Sequence, residues 1–275
     1  MGFSSAMFPA EIIINDSTPI DGQILGPDGQ VFGKGLDLGL RGPGDYEYGD
    51  AADPFPSALL IPRSEWQARI KEMEETKTRL SDLIRKRKSP CKNQSSTNFC
   101  WFNSPTRCTE IIVMQQRDGL PIVLSPASGA CLVTNFRNVG GWGRDALAWI
   151  VEHGLNEVGD WPANAIDRKY ATAANKAKAL KNRVLEWTEL KPRNIDQLIS
   201  MLLRRIPVAC GYNWWSHETT ALDPVWLDGT AATRNENSWG PSYGDQGMFI
   251  LQGSRMLPDD AVAPRTAAAL GSLAS

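Results

Sequence analysis

The sequence predicts an α+β fold in which a helical half is followed by a sheet half, behind an extended N-terminal arm, and three observations carry that expectation. Apolar residues recur at helical spacing as far as Leu203. The period then changes to short runs rich in β-branched and aromatic residues. Between two of those runs sits Asp228-Gly229, a strong hairpin-turn pair. With 275 residues, 42% hydrophobic and 22% charged, the chain is long and apolar enough for a full core.

Each element follows in order. Residues 1–63 are rich in Gly, Pro and Asp, as in Gly26-Pro27-Asp28-Gly29 and Gly42-Pro43-Gly44-Asp45, and read as an arm with turns. From Ser64 to Lys88, Trp66, Ile70, Met73, Leu80 and Ile84 recur at near-helical spacing behind a Ser-Glu-Trp-Gln start, which predicts a charged amphipathic helix. Ser89-Pro90 punctuates the chain and places a boundary at residue 89. Helices are expected over Cys100–Gln116, Arg144–His153, Ala171–Val184 and the Ile195–Leu203 stripe that ends before Pro207. Strands are expected over Val208–Trp214, Thr219–Leu227 and Gly247–Leu251. The Ala- and Pro-rich residues from 255 to 275 read as a loosely structured tail. The division is therefore an arm over 1–89, a main domain over 90–254 and a tail over 255–275.

Charge and cysteine usage narrow the function. A formal net charge of −2 with no basic stripe argues against nucleic acid. No run approaches the roughly 18 apolar residues of a membrane span. Met1–Asn15 has no basic region ahead of an apolar run, so no signal peptide is expected. Five cysteines without a Cys-x-x-Cys pair suit a reducing setting, or one special thiol, better than a disulfide framework. With only His153 and His217, no metal and no cofactor is expected.

Three segments carry chemistry. In Asn93-Gln94-Ser95-Ser96-Thr97-Asn98-Phe99-Cys100-Trp101, a thiol falls at a helix start, where orphan N–H groups and the positive dipole end favour a thiolate. Gln94, on the entering loop, can supply a side-chain amide to an oxyanion beside the Cys100 N–H. His217 in Trp214-Trp215-Ser216-His217-Glu218-Thr219 and Asn237 in Asn235-Glu236-Asn237-Ser238-Trp239-Gly240 complete a Cys–His pair with an orienting third group. The Asp228-Gly229 turn returns the chain so that Asn237 can lie near His217, with Trp239 covering their hydrogen bond.

Taken together, Gln-x5-Cys-Trp, Leu124-Ser125, Gly140-Gly141-Trp142, a strand His and Asn-Ser-Trp-Gly-x-x-x-Gly-x-x-Gly occur in the order of the papain (C1-type) cysteine peptidase family, which residues 90–254 resemble. The resemblance implies two lobes, a helical one bearing Cys100 and an antiparallel sheet one bearing His217 and Asn237, with substrate in the cleft between. It implies Cys100, His217, Asn237 and Gln94 as catalytic residues. Gly140, Gly141 and Trp239 are the implied substrate contacts, with Gly140-Gly141 beside a hydrophobic S2 pocket.

The sequence departs from the family pattern in places. Thr97 and Asn138 stand where the family carries a disulfide, Glu218 follows the histidine in place of a small apolar residue, and Pro105 falls inside the nucleophile helix. The long helical pro-segment pattern is missing from residues 1–89. The expected activity is thiol-dependent hydrolysis of a polypeptide substrate. The competing reading is a structural or assembly-associated protein, such as a virion component, that kept the fold and threads residues 1–89 against a partner. The expected location is the cytoplasm or a large assembly such as a virus particle.

Overall fold

The computed structural model describes residues 11–19, 35–36, 55–117 and 120–267. It has the α+β architecture the sequence predicts. In chain order the elements are β1 (Ile13–Ile14), α1 (Arg63–Glu75), α2 (Leu80–Arg87), α3 (Cys100–Gln116), α4 (Ala127–Val133), α5 (Gly143–His153), α6 (Ala173–Ala179), β2 (Val184–Glu189), α7 (Ile195–Leu203), β3 (Val208–Tyr212), β4 (His217–Leu227), β5 (Thr230–Glu236), β6 (Met248–Leu251) and β7 (Asp260–Ala267). The strands form one seven-stranded sheet in the order β1-β6-β5-β4-β3-β7-β2. All neighbouring pairs are antiparallel except the short β1, which adds to β6 in parallel.

Side-chain alternation along β3 and β7 decides which lobe each face of the sheet meets. Ala209 and Val262 join a core with Phe102, Cys108 and Ile112 of α3 and Ala146, Leu147 and Ile150 of α5. Val208, Cys210, Tyr212, Ala261 and Ala263 face the other way, against Leu198, Met201 and Leu202 of α7. The helical lobe therefore sits on the face of the sheet shared by residues 209, 211, 260 and 262. Helix α1 packs Trp66 and Ile70 against Ile199 of α7, and α2 packs Leu80 and Ile84 against Ile111 and Met114 of α3. The N-terminal stripe is thus packing for the main body.

The hairpin between β4 and β5 forms at Asp228-Gly229, with Leu227 paired to Thr230. Both turn residues have positive φ, 49° and 77°, as a two-residue turn of matching twist requires. Three expectations need correction. The single helix over residues 64–88 is two, broken where Lys77 takes φ 54°. The surface helix over 171–184 stops at Ala179, and Val184 opens β2. The loosely structured tail from residue 255 is overturned for 260–267, because β7 pairs with both β3 and β2 inside the sheet. Its Asp-Ala-Val-Ala-Pro sequence has low strand propensity, and it is buried on both faces, so it shows no alternation. The arm expected at 1–10, 20–34 and 37–54, and the tail at 268–275, lie outside the described residues.

Candidate active site

Cys100 is the first residue of α3, and Pro105 is accommodated within the unbroken helix. The first N–H groups of a helix have no intrahelical acceptor, so they face the region of the sulfur. The N–H groups of Glu218, Gly35 and Trp101 all favour its thiolate. Burial outweighs them: it pushes the Cys100 thiol up to about 12, with the Glu218 carboxylate adding to the rise. Among the described residues, what covers the sulfur is the chain's own Gly35, whose N–H donates to Cys100 Sγ at 3.1 Å.

His217 opens β4 and is fully buried. Asn237 Oδ1 accepts from His217 Nε2–H at 2.9 Å and from the Ser238 N–H at 2.8 Å. Fixing the proton at Nε2 assigns proton transfer to Nδ1. The Trp239 indole stacks on the imidazole, with centroids 4.7 Å apart and planes 27° from parallel, and Trp215 and Tyr243 meet Trp239 edge-on. Trp239 is itself buried, which suits the covering role.

Gln94 is held from several directions. Its N–H donates to Ser238 O at 2.7 Å, its Nε2 donates to Thr97 O at 2.8 Å, and its Oε1 accepts from Ser238 Oγ. The Gly240 N–H donates to Lys92 O at 2.9 Å. These bonds zip the loop bearing Gln94 to the loop bearing Asn237. At Thr97 and Asn138, where the family resemblance implies a disulfide, Asn98 binds the 138 loop: its N–H donates to Asn138 Oδ1 at 2.7 Å and its Nδ2 to Asn138 O at 3.1 Å. Hydrogen bonds serve there in place of a covalent tie.

Gly141 is paired with the chain itself. Its N–H donates to Gly35 O at 2.8 Å, and Leu36 forms a parallel bridge with it. A Cβ on Gly140 would run into Gly35 O, and one on Gly141 would lie 2.6 Å from the Trp101 ring. Glycine here permits a second backbone to come close. The structure thus brings Cys100 and Gly141 together through Gly35-Leu36, and His217 and Asn237 together directly. In the sequence, the Gly-rich surroundings of Gly35-Leu36 carry no pattern that links them to a site 65 residues on.

Glu218, the acid that follows His217, is buried. It does not point into solvent: it is 1% exposed, and its carboxylate lies 2.5 Å from where a Gly143 Cβ would be. Burial, then Asp260, drives its pKa well above the usual carboxylate range, and the Gly143 N–H opposes that. Among the described residues no group of three or more His, Cys, Asp or Glu side chains is placed to hold a metal ion, and no helix is long and apolar enough to cross a membrane.

No protein-family model matches the chain, and no curated protein matches it in sequence. Solved structures do match. Digestive procathepsin L 3 from the larval midgut of Tenebrio molitor superposes with TM-score 0.55 at 18% identity, over 66% of each chain. The proform of Amb a 11, a ragweed pollen cysteine protease, gives TM-score 0.55 at 20% identity, over 65% of this chain and 63% of that one. Xylellain, a cysteine protease from Xylella fastidiosa, gives TM-score 0.53 at 16% identity, over 64% and 82%. The match spans just under two thirds of the first two. These likenesses define the fold, which is that of papain-like cysteine proteases.

Proposed function

We propose that this chain is a thiol-dependent peptidase held closed by its own Gly35-Leu36. The observation that carries the reading is the His217–Asn237 bond beneath Trp239, one residue from a Glu218 N–H that faces a sulfur at a helix start. Once the arm leaves, the Cys100 thiolate attacks the scissile carbonyl carbon and a C–S bond forms. The Cys100 N–H and the Gln94 amide receive the oxyanion, and each such donor contributes about 10²–10³ in rate. The His217 imidazolium gives its proton to the leaving amine as the C–N bond breaks. Neutral His217 then takes a proton from water, whose oxygen attacks the thioester, and the C–S bond breaks to release the acid and restore the thiolate.

The closed state fits the same reading. Gly35-Leu36 runs along Gly141, where a substrate backbone would lie, and Gly35 covers the sulfur. Two of the similar structures are of proforms. The test is a peptide library incubated with the wild type, Leu36→Glu and Cys100→Ala. Cleavage by Leu36→Glu, with loss of about 10⁴-fold or more in a Leu36→Glu, Cys100→Ala double variant, supports the proposal. Folded Leu36→Glu that cleaves nothing, or cleavage that survives loss of the thiol, overturns it.

A further inference from the structure

A cavity of about 640 Å³ lies in the helical lobe, walled by α4, α5, α6 and Trp161. None of the residues that line it belongs to the candidate active site. Three rings form much of the wall. The His153 imidazole lies against the Trp149 indole, with centroids 3.9 Å apart. The buried Trp161 indole is fixed by its own N–H, which donates to Ala165 O at 2.9 Å. Gly154 caps α5 at φ 68°, and a Cβ there would run into Ala179 O, so glycine lets the ends of α5 and α6 meet. The floor is polar and held in place. Asn156 is 3% exposed; its N–H donates to Ser128 Oγ at 3.1 Å and its Nδ2 to Asn175 O at 2.8 Å. Its Oδ1 has no donor among the described residues. At the rim, the exposed Lys176 ammonium meets no carboxylate among the described residues, whereas Lys178 is paired with Asp160.

We propose that this cavity binds a small planar aromatic carboxylate whose far end carries an N–H or O–H donor, as an indole or phenol acid does. The inference is independent of the peptidase reading. Small-molecule sites span about 300–1,000 Å³ and combine apolar walls with a few placed polar groups, which is the make-up seen here. The Trp149 and Trp161 faces suit a flat ring, packed offset or edge-on. A buried amide oxygen without a donor carries a desolvation cost, and a ligand N–H or O–H on Asn156 Oδ1 removes it. Lys176 at the mouth attracts the carboxylate, whose remaining lone pairs stay in water. An acceptor on the floor and a cation on the rim fix which end of the ligand enters first. A cationic ligand would meet Lys176 with like charge, and a purely apolar one would leave Asn156 unsatisfied.

The test is isothermal titration calorimetry of the full-length chain with indole-3-acetate. Two close relatives run alongside: 1-methylindole-3-acetate, which lacks the N–H, and indole-3-ethanol, which lacks the carboxylate. The proposal expects one site per chain with a Kd of about 0.1 mM. The methyl group should weaken binding about tenfold, and loss of the charge about threefold. Lys176→Gln should bring the acid to the affinity of the alcohol and leave the alcohol unchanged. Ala177→Trp should block all three compounds at the mouth. Both positions are exposed on α6, and circular dichroism checks that each variant folds. If indole-3-acetate shows no saturation by about 2 mM, or the methylated and uncharged compounds bind as tightly, the cavity is an apolar hollow and the proposal is wrong. Binding that survives Ala177→Trp lies elsewhere on the chain and overturns it equally.

Discussion

Two buried glutamates stand beside the site, one on each side of the His–Asn bond, and they live in opposite surroundings. Glu236 precedes Asn237 and meets the buried Arg107 through Nε at 2.9 Å and Nη2 at 3.0 Å. Arg107 also reaches Glu110 at 3.2 Å, and Glu110 in turn holds Lys92. Glu218 follows His217 and, among the described residues, meets no cation: the Gly143 N–H and the charges of Asp260 and Asp145 face it. Burial raises both, but Arg107 is the main force pulling Glu236 back down. Asp223 shows a third solution: its carboxylate accepts the N–H groups of Leu80 and Ser81, 2.7 and 3.3 Å away, at the start of α2. A buried acid with its counter-ion built in is scaffold.

That difference can be broken from either side. The largest effect is expected from Arg107→Met, which leaves Glu110 and Glu236 facing each other in the core beside Asn237. Chemical denaturation should report a loss of about 3–5 kcal/mol, and thermal melting a drop of about 10 °C. A loss under about 1 kcal/mol would make the network ornamental.

Glu218→Gln should go the other way, since it removes an uncompensated acid, with a gain of about 1 kcal/mol at neutral pH. The pH dependence sharpens this. The folded pKa of Glu218 lies above its unfolded value, so its stabilising contribution is full below the unfolded pKa and is lost as pH rises through the folded one. The groups that face it are Asp260 of β7, Asp145 of α5, Cys100 of α3 and the Gly143 N–H. The stability gap between Glu218→Gln and wild type should therefore widen from pH 4 to pH 9. A gap that stays constant across that range would place the carboxylate in water.

The smallest effect belongs to the surface. Arg63 meets Asp196 at 2.6 and 2.9 Å, but its side chain is 64% exposed. Arg63→Ala should change stability by at most about 0.5 kcal/mol, and a larger loss in urea titration would show that distance alone, without burial, decides what an ion pair contributes here.

Much of the site was readable because its signals are local. Cys100 begins a helix whose ends were both visible, Asn237 sits in a short motif, and Asp228-Gly229 fixes the hairpin that brings Asn237 back to His217. What escaped depends on strands and segments far apart in the chain. β7 is an interior strand yet rich in Ala, with an Asp and a Pro, so neither period nor propensity marked it. The row Glu218–Gly211–Asp260 exists only through strand pairing across three elements. Among the described residues, Gly35-Leu36 reaches the site through an isolated bridge to Gly141 and a bond to sulfur.

The central question is whether the Cys100 sulfur, once uncovered, ionises beside the His217 imidazole. The direct measurement is the alkylation rate of each cysteine in Leu36→Glu from pH 5 to pH 9, resolved by mass spectrometry. Cys100 should label already at pH 5.5 at a rate nearly flat with pH, while Cys91, Cys108, Cys131 and Cys210, all raised by burial, stay unlabelled. A Cys100 rate that climbs about tenfold per pH unit towards 8.5, as a free thiol's does, would contradict it.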